Sequence, residues 1–325
     1  MSGKRKVILT LSAAVLAAAV LLTALFFFVL RPRMDERVFM DERPLSRQEL
    51  LAYTSPYDQA VDPLCKPYLE DEHRLLYAAF LYAYEQRAST IRLLMEEAYS
   101  KEAVFEILSM LKADYPQFMT TTLESQFTLE QDEKGWLTVG IPAAELAYIP
   151  DETALAAAES LLAEIPGVPA GQLSSAAARA YSIYTYLTAN ISYQAEGEAD
   201  GIGWNFTVQG AIRDGKAQCN GIAGAFQLLC NLEDIPCYKV FYRGRDVGRD
   251  YGHVWNVVQL DGQWYHVDIT AAVQFRQTQE AYFAEEEMSP EILIPDFFGM
   301  SDEAALERSG IPACWKTRSP HVPSL

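Results

Sequence analysis

The sequence predicts an α+β protein. A cysteine-bearing helix packs against an antiparallel sheet, behind a mostly helical N-terminal module and an N-terminal transmembrane helix. Three observations predict this. Residues 7–30 are an unbroken run without a charge. Residues 70–113 carry apolar side chains at helical spacing. Cys219 opens the small-residue stretch NGIAGAFQLLC, and two strand-like segments follow it around Asp261-Gly262.

The first element is the apolar run. Its 24 residues, at about 1.5 Å each, cross a ~30 Å hydrocarbon core as a helix. A cleaved signal peptide has a shorter core and a small-residue site after it. Here the run ends in Phe26-Phe27-Phe28-Val29-Leu30, so an uncleaved signal anchor is favoured over a cleaved signal. Lys4 to Lys6 precede it and Arg31-Pro32-Arg33 follows, so charge alone leaves the orientation open. The short tail before it suits a cytoplasmic N-terminus and an extracytoplasmic body, which makes the protein single-pass in the cell membrane.

Residues 1–33 are thus tail and anchor. Residues 34–69, charged and punctuated by Pro44, Pro56, Pro63 and Pro67, read as a stalk. Residues 70–150 read as a helical module. Its pattern rests on Leu75, Leu76, Ala79, Phe80 and Ala83, then Phe105, Leu108 and Leu111, and QFTLEQ and WLTVG form a hairpin within it. Residues 151–290 form the α+β domain, with helices over 152–164 and 173–190 separated at Pro166, Gly167, Pro169 and Gly171. Residues 291–325 are a mixed cap, in which SDEAALERSG is a short Ser-capped helix.

The chemistry centres on Cys219. A thiol at a helix N-terminus feels the positive end of the helix dipole, which favours thiolate. A histidine can hold that sulfur as an ion pair and later donate a proton. A carboxylate can fix the histidine's orientation and tautomer. His253 in YGHVWNVVQL and Asp268 in DGQWYHVDIT supply both. Asp261-Gly262 signals a two-residue hairpin turn, which sets Leu260 opposite Gln263. Trp255 then faces Asp268, and His253 faces Thr270. These four share one face, and the other face, with Val254, Val258, Leu260, Tyr265, Val267 and Ile269, is the core face. His266 lies on the same face as Asp268, so spacing leaves it in competition with His253 as the base.

At these residues the chain resembles the transglutaminase-like superfamily, related to the papain-like cysteine proteases. The resemblance is carried by Gly215 to Cys219, by the helix with Gly221, Ala223, Gly224 and Ala225, by His253-Val254-Trp255-Asn256, and by Trp264-Tyr265-His266-Val267-Asp268. It covers roughly 180–275, and LKADYPQF at 111–118 also looks like a segment that precedes the domain in some bacterial members. It implies catalytic Cys219, His253 and Asp268 and an amide or ester acyl substrate, and it selects His253 over His266. Ile222 and Ala271-Ala272 depart from residues common in bacterial relatives, so specificity is not carried over.

Acyl transfer also needs donors for the carbonyl oxygen. The Cys219 backbone N–H is one. Among Trp204, Asn205 and Gln209 in the approach GIGWNFTVQG, Gln209 is the favoured second.

Composition narrows the partners. After residue 33 the chain has 21 Lys and Arg against 44 Asp and Glu, a formal charge of −23. Nucleic acid binding is disfavoured, because phosphate contact needs a basic footprint. No metal-type Cys-His spacing appears, so neither zinc nor another cofactor is expected. Five cysteines cannot all pair, and Cys230 and Cys237 are expected as buried thiols. The expected function is a membrane-anchored, extracytoplasmic thiol enzyme acting on amide bonds of proteins or cell-wall peptides, with hydrolysis favoured over cross-linking. The same residues also allow a catalytically silent relative that binds a partner in the groove, or an envelope scaffold that works through the N-terminal module.

Overall fold

The computed structural model describes residues 37–55, 63, 65–118, 126–147, 152–167, 175–194, 203–246, 249–285 and 297–301. The expected anchor at 7–30, the Ser-capped helix at 301–310 past its first residue, and Cys314 lie outside the described residues. Among the described residues no helix is long and apolar enough to cross a membrane.

The N-terminal module begins with β1 (Arg37–Met40), β2 (Arg43–Ser46) and α1 (Arg47–Leu51). Asp41 and Glu42, both at positive φ, make the turn between the strands, a backbone that suits a tight hairpin. Ser46 and Glu49 close a capping box at the start of α1. Next come α2 (Asp71–Gln86), β3 (Thr90–Leu94), α3 (Lys101–Asp114), β4 (Thr128–Gln131), β5 (Trp136–Gly140) and α4 (Ala143–Ala147). The strands form an antiparallel sheet in the order β2-β1-β3-β5-β4. The expected apolar stripe of α2 is buried, with Leu75, Leu76, Ala79, Phe80 and Ala83 all inaccessible.

Two differences from the expectation stand out here. The module is mixed rather than mostly helical, and residues 37–51 belong to it although they fall in the expected stalk. Strands of four or five residues are too short to show a period of two clearly. Here Pro44 and the charges of Arg37, Arg43 and Arg92 interrupt it further. The sheet's centre, β3, sits between two strongly helical segments and was hidden by them.

The second module contains α5 (Glu152–Glu164), α6 (Ser175–Asn190), the short parallel pair β6 (Ser192–Tyr193) and β7 (Lys216–Ala217), α7 (Val208–Ile212) and α8 (Cys219–Leu232). Then follow β8 (Cys237–Asp246), β9 (Arg249–Leu260), β10 (Gln263–Val267) and α9 (Ile269–Glu285). β9 runs between β8 and β10 in an antiparallel sheet. The helix-on-sheet arrangement expected for the α+β domain is therefore present. Its core joins Ile183 and Leu187 of α6, Ile222, Phe226 and Leu229 of α8, and Trp255 and Val257 of β9.

The β9–β10 turn has the expected register. Leu260 pairs with Gln263, and pairing continues to Asn256 with Val267. Asp261 and Gly262 both have positive φ. The expected pairing of His253 with Thr270 does not occur, because β10 stops at Val267. The N–H of Asp268 turns out to the Phe297 carbonyl at 2.9 Å. Its Oδ1 accepts the Ala271 N–H at 2.9 Å, so Asp268 caps α9. On the face shared with His253, Trp255, His266 and Asp268 are all buried.

The modules meet along α8. Gln227 on α8 donates its amide to the Ala113 carbonyl of α3 at 2.9 Å. A Cβ on Gly224 would stand 2.9 Å from Val208 and 3.6 Å from Pro116. Close by, buried Lys112 of α3 pairs with buried Glu145 of α4, which also accepts from Tyr84 at 2.8 Å. Lys239 of β8 is buried in range of Lys112. Burial first, and that neighbouring charge second, bring its pKa down to about 7.

Candidate active site

The site is built where α8 begins. Gln218 takes extended backbone geometry before the helix and supplies no side-chain cap. First-turn N–H groups have no acceptor inside their own helix, so Cys219, the first residue of the helix, stands at its electropositive end. The loop before α7 crosses this turn closely. The Asn205 carbonyl accepts the Gln218 N–H at 2.7 Å, and the Asn220 amide donates to the Phe206 carbonyl at 2.9 Å. Gly221 makes the crossing possible, because a Cβ there would lie 2.6 Å from the Thr207 carbonyl oxygen and 2.9 Å from that of Asn205.

β9 brings the histidine. Asn256 of β9 donates its amide to the Ala223 carbonyl of α8 at 2.9 Å, which ties strand to helix. His253 lies three residues before it. Its Nε2 meets Asp268 Oδ2 at 2.9 Å, and its ring also hydrogen-bonds with Cys219. With Nε2 held by the carboxylate, Nδ1 is the nitrogen left for the sulfur. Asp268 is fully buried, and its other oxygen holds the start of α9. The carboxylate is thus fixed by the helix it caps, and it fixes the imidazole in turn.

Burial works against charge on His253. The hydrogen bonds and negative charge of Asp268 and Cys219 outweigh it, and its pKa is pushed up to about 10. The ring therefore favours the imidazolium at neutral pH. Cys219 is partly exposed, whereas Cys65, Cys230 and Cys237 are buried. Burial raises the Cys237 thiol, and a hydrogen bond with Cys230 adds to the effect. Both are the buried thiols expected.

The structure brings Cys219, His253 and Asp268 together. It gives His266 a different partner, Trp255. Gln209 sits on α7, half-buried, with a buried Oε1 that has no hydrogen-bond partner. It makes no hydrogen bond to those three residues among the described residues. The side chain of Trp204 lies outside the described residues. One candidate donor is not marked by the sequence. Gln218, beside the thiol, has a buried Nε2 without a partner, and only its position next to Cys219 could have drawn attention to it.

Comparison with known proteins follows the same residues. Residues 167–269 match a family model described as the transglutaminase-like superfamily. The segment is a transglutaminase-like domain. It includes Cys219 and His253 and ends one residue past Asp268. The chain is also 27% identical over 100 residues to the kyphoscoliosis peptidases of Mus musculus and Homo sapiens. That match takes in 28% of this chain and only 15% of each relative. A solved structure described as a TGase aligns with 56% of this chain and 50% of its own, at 14% identity and a TM-score of 0.31. The segment matched by the family model runs from just past α5 to the start of α9.

Proposed function

We propose that this protein is a thiol enzyme that acts on amide bonds of proteins or cell-wall peptides through Cys219, His253 and Asp268. The observation that carries the reading is the arrangement at α8. A partly exposed thiol at a helix N-terminus shares one histidine with a fully buried carboxylate. The Cys219 sulfur attacks the amide carbonyl carbon, and the C–N bond breaks as His253 gives its proton to the departing nitrogen. This leaves a thioester. Water then attacks it, His253 takes the water's proton, and the acid leaves as the thiolate is restored. The negative oxygen formed in each step sits by the Cys219 N–H. The second donor is a side-chain amide, either Gln209 of the approach or Gln218 beside the thiol.

Hydrolysis is favoured over transfer to an amine, since water is abundant and the sequence carries no recognisable amine-binding feature. The uncharged run at 7–30 supports a membrane anchor with the domain outside the cytoplasm, where wall peptides and surface proteins are the available amides.

Acyl trapping tests the reading. The full chain is incubated with an activated acyl ester, then with glutamine-containing peptides with and without a primary amine. Acylation mapped to Cys219, and conversion of glutamine to glutamate that the amine does not divert into a substituted amide, are expected. Both vanish in Cys219→Ala. Conversion that survives Cys219→Ala contradicts the proposal. Absence of acylation in the wild-type chain moves the site to the role of a partner-binding groove.

A further inference from the structure

His266 was the competing base on spacing, and its surroundings give it other work. The side chain is 1% exposed. Its backbone is held on both sides, with its N–H donating to the Met300 carbonyl at 2.9 Å and its carbonyl accepting the Met300 N–H at 2.9 Å. Its Nδ1 accepts the indole N–H of Trp255 at 2.9 Å. An indole nitrogen only donates, so Nδ1 carries the lone pair and the ring is the neutral Nε2–H form.

Trp255 connects this ring to the site. Its indole is also 1% exposed and lies nearly parallel to the His253 imidazole, with 18° between planes and 5.8 Å between centroids. The hydrogen bonds of His253 to Asp268 and Cys219 set where its two nitrogens point but tolerate some tilt of the ring plane. A flat surface against the ring removes that freedom. An indole face also attracts a cation and so favours the imidazolium. The indole can serve only while its own plane is fixed, and its one N–H is fixed by His266.

We infer that His266 is a positioning residue for the thiol centre. By holding the Trp255 indole, it fixes the aromatic plane on which His253 rests, and with it the angle His253 presents to Cys219. The inference rests on the proposed reading of Cys219, His253 and Asp268.

The test compares the full-length wild type with His266→Leu, which offers no acceptor, and His266→Gln, whose amide oxygen can take the indole N–H. Iodoacetamide labelling of Cys219 is followed by peptide mass spectrometry at pH 6 and pH 9. A merely structural loss lowers both rates together. Mispositioning of His253 lowers the ratio of the pH 6 rate to the pH 9 rate, because at high pH the thiolate forms without help. A roughly tenfold fall in that ratio is expected for His266→Leu, about the worth of one such cation–aromatic contact, with most of it regained in His266→Gln. A wild-type ratio in His266→Leu, or no recovery in His266→Gln, overturns the inference. Should His266→Leu not fold, nitrogen NMR of the wild-type histidines decides the matter. An unprotonated Nδ1 on His266 between pH 5 and pH 8 is expected, and a protonated one overturns the inference. A wild type whose ratio is unaffected by His253→Ala removes the thiol centre itself, and this result is distinct from a failure confined to His266.

Discussion

At the scale of single residues, the site depends on side chains that each do two things. Asp268 caps α9 with Oδ1 and orients His253 with Oδ2. The capping half was not legible, because DIT after a Trp-Tyr segment looks like the end of a strand rather than the start of a helix. That Cys219, His253 and Asp268 lie together was readable from local setting, since helix start, strand and tight turn fix where short side chains go. The choice between His253 and His266 was not readable from spacing. It depended on which ring found a donor-only indole, a tertiary contact that no period in the sequence records. The charge state follows from the same contacts. A free histidine loses its proton near 6.5, whereas His253, between Asp268 and Cys219, holds it to about 10. The imidazolium is therefore present throughout the range from 6.5 to about 10 in which an isolated histidine would be neutral, and it is lost only as pH rises past that.

At the scale of elements, α8 explains why the sequence uses small residues after the cysteine. The Thr207 and Asn205 carbonyls lie where a Cβ on Gly221 would be. Gly221→Ala gains helix propensity of roughly 1 kcal/mol, but the clash is with backbone, which cannot swing aside as a side chain can. Overpacking costs typically 1–3 kcal/mol. We expect a net loss of up to about 2 kcal/mol in urea unfolding together with slower Cys219 labelling, since the same loop holds Gln218. Unchanged stability and labelling would show that the loop is not seated against this turn. The hairpin register was legible to the residue, because Asp261-Gly262 admits few loop geometries. The short strands β1, β2 and β3 were not, because four or five residues carry too little pattern to outweigh neighbouring helical segments.

At the scale of the whole molecule, the two modules share α8. The N-terminal core, with Leu75, Phe80 and Leu111, is distinct from the core of the transglutaminase-like domain. Yet α3 accepts the Gln227 amide, and Pro116 sits over Gly224. The sequence suggested a stalk over 34–69 and a helical module over 70–150, and nothing local to residues 34–118 shows which surface they cover. Removing residues 1–151 would bare one side of the helix that carries Cys219. The remaining fragment is expected to bind a hydrophobic dye and to lose its cooperative thermal transition. A sharp transition like that of the full chain would show that the domain is independent of the N-terminal module.

The central claim is that Cys219 is an activated nucleophile paired with His253, and its labelling by iodoacetamide across pH tests that claim most directly. In the full chain, Cys219 labelling is expected to persist well below pH 8.5, the rough reference for a free thiol. In His253→Ala, labelling at pH 6 should fall at least about tenfold and follow the titration of an isolated cysteine. Slow wild-type labelling at pH 6 that His253→Ala leaves unchanged would contradict the account.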